Sequence, residues 1–377
     1  MSWKCLTPNT KPKRTNPGEA TGEAASRRRA SEAEGARDGR LPVAAAVRFR
    51  TVLVDEATQS TEPASIIALL LGASQLVLVG DGQQLPPTVT DKDAARAGLS
   101  LSLFSRLQRS GIEPLLLNTQ YRMHPAIAEF PSSHFYHGRL RTGVLAEERP
   151  SPKGFAWPRA AYPVAFISTV SPEQCKRVDA TQTTGGGDGS SGGAVDGSSE
   201  DATTSARARA PAAGTTDTES AARSTSYANP GEASVIASVV ASLVAHGTPP
   251  EQIGVVTPYS AQAIVLSQIL QGAGSQGAAS LAGVEVSSID GFQGREKEVI
   301  LFSCVRSNPS QRLGFLADHR RLNVAITRAR RGLIVVGDER TLGADDTWRA
   351  YLQYLRMRAC VIKADAIRFS AWSSDDR

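Results

Sequence analysis

Cysteine is scarce in this sequence: there are four in 377 residues, Cys5, Cys175, Cys304 and Cys360, and no two are spaced as CxxC. That scarcity argues against a disulfide framework or a zinc site. It points to a reducing compartment, the cytoplasm with the nucleus as the alternative. Long apolar runs are lacking too. The longest, about Val235 to Ala245, is too short to span a bilayer and is interrupted by Ser238 and Ser242, so a soluble chain with no membrane partner is expected. Lys4, Lys11, Lys13 and Arg14 punctuate the start, and no secretory signal is expected there. Nor is there a broad surplus of one charge. The net charge is +5, yet residues 1–50 hold eleven Lys and Arg against five Asp and Glu, which leaves about −1 for all the rest. Overall charge gives no argument for a polyanionic partner, and any basic surface has to be local.

Large apolar side chains are nearly absent from two stretches. Residues 1–48 are rich in Pro, Ala, Arg and Glu, and residues 178–226 are built of Gly, Ser, Thr, Ala and Asp. Neither can bury enough surface to offset its ordering entropy. The first is expected to be a disordered basic tail and the second a disordered insertion within a folded unit. The run Arg27 to Arg29 reads as part of a solvated tail, with a nuclear-localisation or nucleic-acid patch as the other reading.

What remains has room for roughly two or three domains at ~150 residues each. Short apolar runs suit buried parallel strands: Thr51–Val54, Leu76–Val79, Val164–Ile167, Ile253–Val256, Val284–Ile289, Val299–Val305 and Leu333–Val336. Helical patterns lie between several of them. The clearest follows Asn229, with Pro230 at the first helical position and Glu232 three residues after the cap. Val235, Ile236, Val239, Val240, Leu243 and Val244 form its stripe, and Gly247 stops it. This alternation predicts an α/β fold with a mostly parallel sheet, in which ligands bind beyond the strand ends.

Five segments carry candidate chemistry, and each has a plainer reading beside it. A strand delivering Asp55 and Glu56 can serve a metal ion and a water separately, or can simply end in solvated acids. The loop Gly80-Asp81-Gly82-Gln83-Gln84-Leu85-Pro86-Pro87 holds a glutamine amide stiffly enough to sense a γ-phosphate, or is a tight turn. Gln120 to Pro125 packs Tyr121, Arg122 and His124 together, either for stacking and phosphate contact or as a helix start. Ser288 to Glu296 is a polar loop after a strand. A helix from about Asp318 to Arg330 sets Leu322, Ala325, Ile326 and Ala329 on its stripe and brings Arg321 and Arg328 together at the margin, as a cleft arginine or as a solvated basic face.

In order, these segments resemble the superfamily 1B helicases of the up-frameshift and senataxin-like group. VLVDEATQSTEP is similar to helicase motif II, LVGDGQQLPPTV to motif III and LNTQYRMHPAIAEFPSSHFY to the motif that follows. IGVVTPYSAQ, VEVSSIDGFQGREKEVILFSCVRSN and GFLADHRRLNVAITRARRGLIVVGD are similar to motifs IV, V and VI. The likeness covers about Phe49–Leu342 apart from the insertion. It implies a RecA-like P-loop NTPase fold with a truncated first RecA-like domain at 49–118, a second at 119–342 and a C-terminal tail at 343–377.

The resemblance also implies an ATP-dependent helicase using ATP and Mg²⁺. Asp55 would hold Mg²⁺, Glu56 would be the catalytic base, Gln84 would contact the γ-phosphate, and Arg122 and Arg328 would be arginine fingers. Tyr121 would stack on the base and Glu296 would contact the ribose. Thr257, Tyr259 and Ser288 would contact the nucleic-acid strand. Single-stranded RNA, travelled 5′→3′, is the first expected partner, with decay or surveillance factors alongside. A DNA helicase of the same superfamily, or a non-catalytic binding remnant, is the alternative. The family's GxxGxGK[ST] phosphate loop is missing, since lysine follows glycine nowhere in the chain. A fragment is therefore expected, one that binds and hydrolyses ATP poorly by itself.

Overall fold

The computed structural model describes residues 48–178, 224–273 and 281–367. The expected tail, but for Arg48, lies outside these residues, as do 179–223 of the expected insertion. The described chain forms two compact units. One holds the residues up to Asp55 together with Glu62–Val79, and the other holds Glu56–Thr61 and everything from Gly80 onward.

The smaller unit is a strand–helix–strand piece. β1 (Thr51–Val54) pairs in parallel with β2 (Gln75–Leu78), Thr51 opposite Gln75 and Val54 opposite Leu78. The helix Glu62–Leu69 belongs to the same unit. The turn back into β2 is closed by the Phe49 amide donating to the Leu71 carbonyl at 3.2 Å and the Ser74 amide to the Arg50 carbonyl at 3.0 Å. Leu53, Ile67, Leu70 and Val77 are exposed.

In the larger unit, after the helix Leu103–Arg109, come β3 (Thr119–Gln120) and β4 (Arg141–Thr142), a two-residue parallel pair flanking the helix Pro125–Phe135. Its main sheet contains β5 (Val164–Ser168), β8 (Ile253–Thr257), β9 (Glu285–Ser288), β10 (Lys297–Ser303), β11 (Ala329–Gly337) and β12 (Val361–Lys363). These six lie in the order β12-β5-β11-β10-β8-β9, and every pairing is parallel. A further pair, β6 (Gln174–Val178) and β7 (Ser224–Ala228), is antiparallel and brackets the low-complexity segment.

Strand alternation explains why both faces of the sheet are covered. Ile167, Val255, Val299, Leu301, Ile334 and Val336 share one core with Ile236, Val239, Val240 and Leu243 of the helix Pro230–Ala245. The neighbouring positions Phe166, Val256, Ile300, Phe302, Leu333 and Val335 point the other way. There they meet the helices Pro125–Phe135, His319–Ile326 and Asp346–Met357.

Four expectations change here. The compact units divide at Val79/Gly80, not between residues 118 and 119. The loop after β2 explains this, because its Asp81 and Gln83 are bound by Tyr136 and Asn323 of the larger unit. Residues 343–367 are no tail: Trp348, Tyr351, Leu352 and Leu355 form a buried stripe, and β12 extends the sheet. The helix expected to run to Arg330 stops at Ile326. The Thr327 hydroxyl turns back to the Asn323 carbonyl at 2.6 Å, and Ala329 begins a strand. Finally, Asn229 caps its helix by accepting from the Glu232 amide, but its own backbone amide donates to Gln262 Oε1 at 2.7 Å and not to Glu232. The Glu232 carboxylate accepts from the Ser303 hydroxyl at 2.7 Å, the Val305 amide at 2.8 Å and, at 3.4 Å, Asn229 Nδ2.

Candidate functional site

Two groups of the expected residues lie at opposite ends of the larger unit's strands. At the amino edge, β10 and β11 start side by side, Lys297 opposite Ala329. Glu296 and Arg328, the residues just before them, therefore arrive together, and the Lys297 amide donates to the Arg328 carbonyl at 3.1 Å. Arg122 is brought in by a turn folded around Gln120, whose Oε1 accepts from the amides of Arg122 and Met123 at 2.9 and 2.7 Å. The His124 amide then donates to the Arg330 carbonyl at 2.8 Å and ties this turn to β11. Burial lowers the His124 pKa, in keeping with its Nδ1 accepting from the Ala126 amide as the helix cap. Aimed this way, Arg122 donates from Nε to Glu296 at 2.5 Å and from Nη1 to the Thr327 carbonyl at 3.0 Å.

Arg328 is 3% exposed and is held by three acceptors: the Val324 carbonyl at 3.0 Å, Thr327 Oγ1 at 3.0 Å and Gln84 Oε1 at 3.4 Å. Its pKa is pulled down to about 10, first by burial and then by the nearby Arg122 charge, with Glu56, Tyr136 and Asp81 acting in the opposite direction. It keeps its proton at neutral pH. Gln84 Nε2 donates to Asp81 at 2.8 Å, and the Tyr136 hydroxyl donates to the same carboxylate oxygen at 2.6 Å. Asn323 Nδ2 donates both to that hydroxyl and to the Gln83 carbonyl. Burial, reinforced by Asp81, raises the Tyr136 phenol, so it acts as a fixed donor. Glu56 takes φ +52°, an uncommon region for a residue with a side chain, and accepts from Gln59 Nε2 at 2.7 Å. Tyr121 is 67% exposed and lies so close over Gly143 that no Cβ fits there.

Glu56, Gln84, Arg122, Glu296 and Arg328 are thus gathered in one neighbourhood. Asp81, Tyr136 and Asn323, which sequence reasoning missed, form its scaffold. Asn323 had one legible signal: it is a polar residue set among the helix's apolar positions. Among the described residues no group of three or more His, Cys, Asp or Glu is placed to hold a metal ion. Mg²⁺ needs only one or two carboxylates when phosphates and waters complete its shell. The hard oxygens of Asp55 and Glu56, adjacent in the chain, fit that demand.

The other group lies at the carboxyl ends. Thr257 closes β8 fully buried, and its Oγ1 has no hydrogen-bond partner. Tyr259 is 3% exposed and donates its hydroxyl to the Leu313 carbonyl at 3.1 Å. Ser288 ends β9 and caps the following helical turn by accepting from the Gly291 amide. Arg321 is not beside Arg328. It sits at this end, paired with Asp290 at 3.3 Å and Asp318 at 3.7 Å, because the two arginines lie at opposite ends of a helix that stops at Ile326. Arg306 was missed by sequence reasoning. It is buried against Glu173 at 2.6 Å, and its guanidinium lies 4.3 Å from the Tyr227 ring centroid.

A family model described as an AAA domain matches residues 99–340, and a second, also described as an AAA domain, matches residues 34–92. The regulator of nonsense transcripts 1 homolog of Drosophila melanogaster is 40% identical over 329 residues, which is 87% of this chain and 24% of that protein. The ATP-dependent helicase NAM7 of Saccharomyces cerevisiae is 38% identical over 330 residues, 87% of this chain and 29% of that protein. The chain thus spans about a quarter of the length of these curated relatives. Among solved structures, the PRRSV helicase matches 78% of this chain and 36% of its own, at 15% identity and a TM-score of 0.34. With a family model over well more than half of its length, this chain belongs to the AAA-domain family, and it is similar at near 40% identity to the regulators of nonsense transcripts.

Proposed function

We propose that this chain supplies the arginine-bearing half of an ATP-driven helicase that moves 5′→3′ along single-stranded nucleic acid, RNA before DNA. The observation that carries the reading is the gathering of Arg122 and Arg328 with Gln84, Glu296 and Glu56 at one strand edge. Two guanidiniums that repel each other, one of them buried with a depressed pKa, are costly to bring together. A polyphosphate is the ligand that would reward that cost. Bound ATP with Mg²⁺ would supply the phosphoryl group and the cation that neutralises its charge.

Asp55 would hold the Mg²⁺, and Glu56 would accept the proton from the attacking water. Gln84 reads the terminal phosphate, held to that task by Asp81. Arg122 and Arg328 neutralise charge that develops on the transferred group, an effect worth ~10³–10⁵ in rate for such fingers. Tyr121 is exposed enough to stack on the adenine, and Glu296 accepts from the ribose. At the carboxyl ends, Ser288 is proposed to face the strand, with the buried Thr257 and Tyr259 shaping that surface from beneath. The relatives' names, a regulator of nonsense transcripts and an ATP-dependent helicase, support the activity and RNA as substrate, and decay or surveillance factors are the proposed partners. Among the described residues no helix is long and apolar enough to cross a membrane.

The test joins this chain in one polypeptide to a GxxGxGK[ST]-bearing segment of a family member. Phosphate release stimulated by single-stranded RNA is expected, falling ~10³-fold or more in Arg328→Ala and remaining low in Arg328→Lys, because an ammonium lacks the two-pronged fork. Turnover indifferent to Arg328 and to Glu56→Gln would overturn the reading. Stimulation by DNA but not RNA would replace the substrate and keep the motor.

A further inference from the structure

Two Phe, Tyr or Trp rings among the described residues are more than a third exposed, Tyr121 at 67% and Phe315 at 56%. Tyr121 belongs to the phosphate-edge cluster. Phe315 does not. It lies in the turn Gly314–Ala317 that leads into the helix His319–Ile326, at the carboxyl end of the sheet where Thr257 and Ser288 close their strands.

An exposed phenyl ring usually gains more by turning inward. This one is held out from below. The Tyr259 hydroxyl bonds the Leu313 carbonyl at 3.1 Å, and the Tyr259 ring supports Phe315 with centroids 5.6 Å apart. Tyr227 braces Tyr259 in turn, edge-on at 5.5 Å. Gly314 takes φ +62°, and a Cβ there would come within 2.6 Å of Arg306 Nη1 and 2.7 Å of the Tyr259 hydroxyl, so the turn fits closely over its support. The Arg321 guanidinium lies 5.2 Å from the Phe315 ring centroid and is pinned by Asp290, two residues beyond Ser288. A cation over a ring that is otherwise open to solvent makes a flat platform with a positive rim. The surrounding segment 306–321 holds Arg306, Arg312, Arg320 and Arg321 against Asp318; with Glu173 paired to Arg306 and Asp290 to Arg321, the local surplus is one.

We infer that Phe315 is a stacking platform for an unpaired nucleobase of the bound strand, with Tyr259 as its buried support and not itself the stacking surface. This rests on the nucleic-acid reading above. The occupant follows from the chemistry: an aromatic face accepts any base, and the arginine rim accepts the adjoining phosphates.

The test uses the whole chain and a short fluorescein-labelled oligouridylate, with an abasic strand of equal length beside it, titrated across a salt series by anisotropy. Phe315→Ala is expected to weaken oligouridylate binding ~10-fold, the effect of losing one base stack. It should leave abasic binding and the salt slope unchanged, since stacking releases no counterions. Phe315→Trp should retain the affinity, and Phe315→Leu, apolar but without a π face, should behave like the alanine variant. Equal binding by wild type and Phe315→Ala would overturn the platform, as would a loss that is the same for abasic and base-bearing strands. If the wild type binds neither strand, the nucleic-acid reading itself fails.

Discussion

At the scale of single residues, the most unusual group is one that catalysis does not use. Glu232 is fully buried, and burial pushes its pKa up to about 8 despite the Ser303 hydroxyl and Val305 amide that donate to it. Those bonds secure the end of β10, where Val305 is held at φ +69°, a strained place for a β-branched residue, with Asn229 Nδ2 bonding its carbonyl at 3.0 Å. Because the folded pKa lies above the unfolded one, the stability linked to this proton is fully present below about 4.5. It is lost as pH rises toward about 8, at up to ~1.4 kcal/mol per pH unit. Glu232→Gln keeps an acceptor for Ser303 and Val305 and has no proton to lose. It is therefore expected to flatten the fall in urea-unfolding stability between pH 5 and pH 8, while Glu232→Ala, leaving two buried donors unmet, should destabilise at every pH. A Gln variant with the wild-type slope would show that another group carries the dependence.

At the scale of elements, the buried strands were legible and the polar ones were not. A strand covered on both faces must be apolar along its length, so β5, β8, β10 and β11 announce themselves, and their observed limits fall within a few residues of the apolar runs. β6 and β7 read QCKRV and STSYA and carry no such signal. The end of the helix His319–Ile326 was hidden as well, because no glycine or proline follows it and the stop is made by Thr327 bonding back into the last turn. The helix Asp346–Met357 was within reach: Trp348, Tyr351, Leu352 and Leu355 recur at helical spacing, but proximity to the chain end suggested a tail. Its integration makes a strong demand. Trp348 is fully buried and donates its indole N–H to the Leu316 carbonyl at 2.9 Å. Trp348→Ala is expected to cost ~3–5 kcal/mol, read from the urea midpoint. A cost below ~1 kcal/mol would mean that the helix is peripheral to the fold.

At the scale of the whole molecule, the candidate site was legible as a set of motifs but not as an arrangement. Ordered segments named Glu56, Gln84, Arg122, Glu296 and Arg328. Only the starts of β10 and β11, in register, show why residues so far apart in sequence converge. Charge gives a different lesson. Residues 1–47 carry Lys4, Lys11, Lys13, Arg14, Arg27, Arg28, Arg29, Arg37 and Arg40 against five acids, a surplus of four that nearly equals the +5 of the entire chain. Such a segment can hold a polyanion through counterion release alone, a contribution that decays steeply with salt and ignores base identity. The platform at Phe315 makes the opposite demand, since it is salt-tolerant and needs a base. The two contributions can therefore be separated. Removing residues 1–47 is expected to weaken single-strand binding at low salt and to reduce the salt slope. The preference for base-bearing over abasic strands should stay at its full value. Were that preference to vanish with the tail, base contact would belong to the tail and not to the carboxyl end of the sheet.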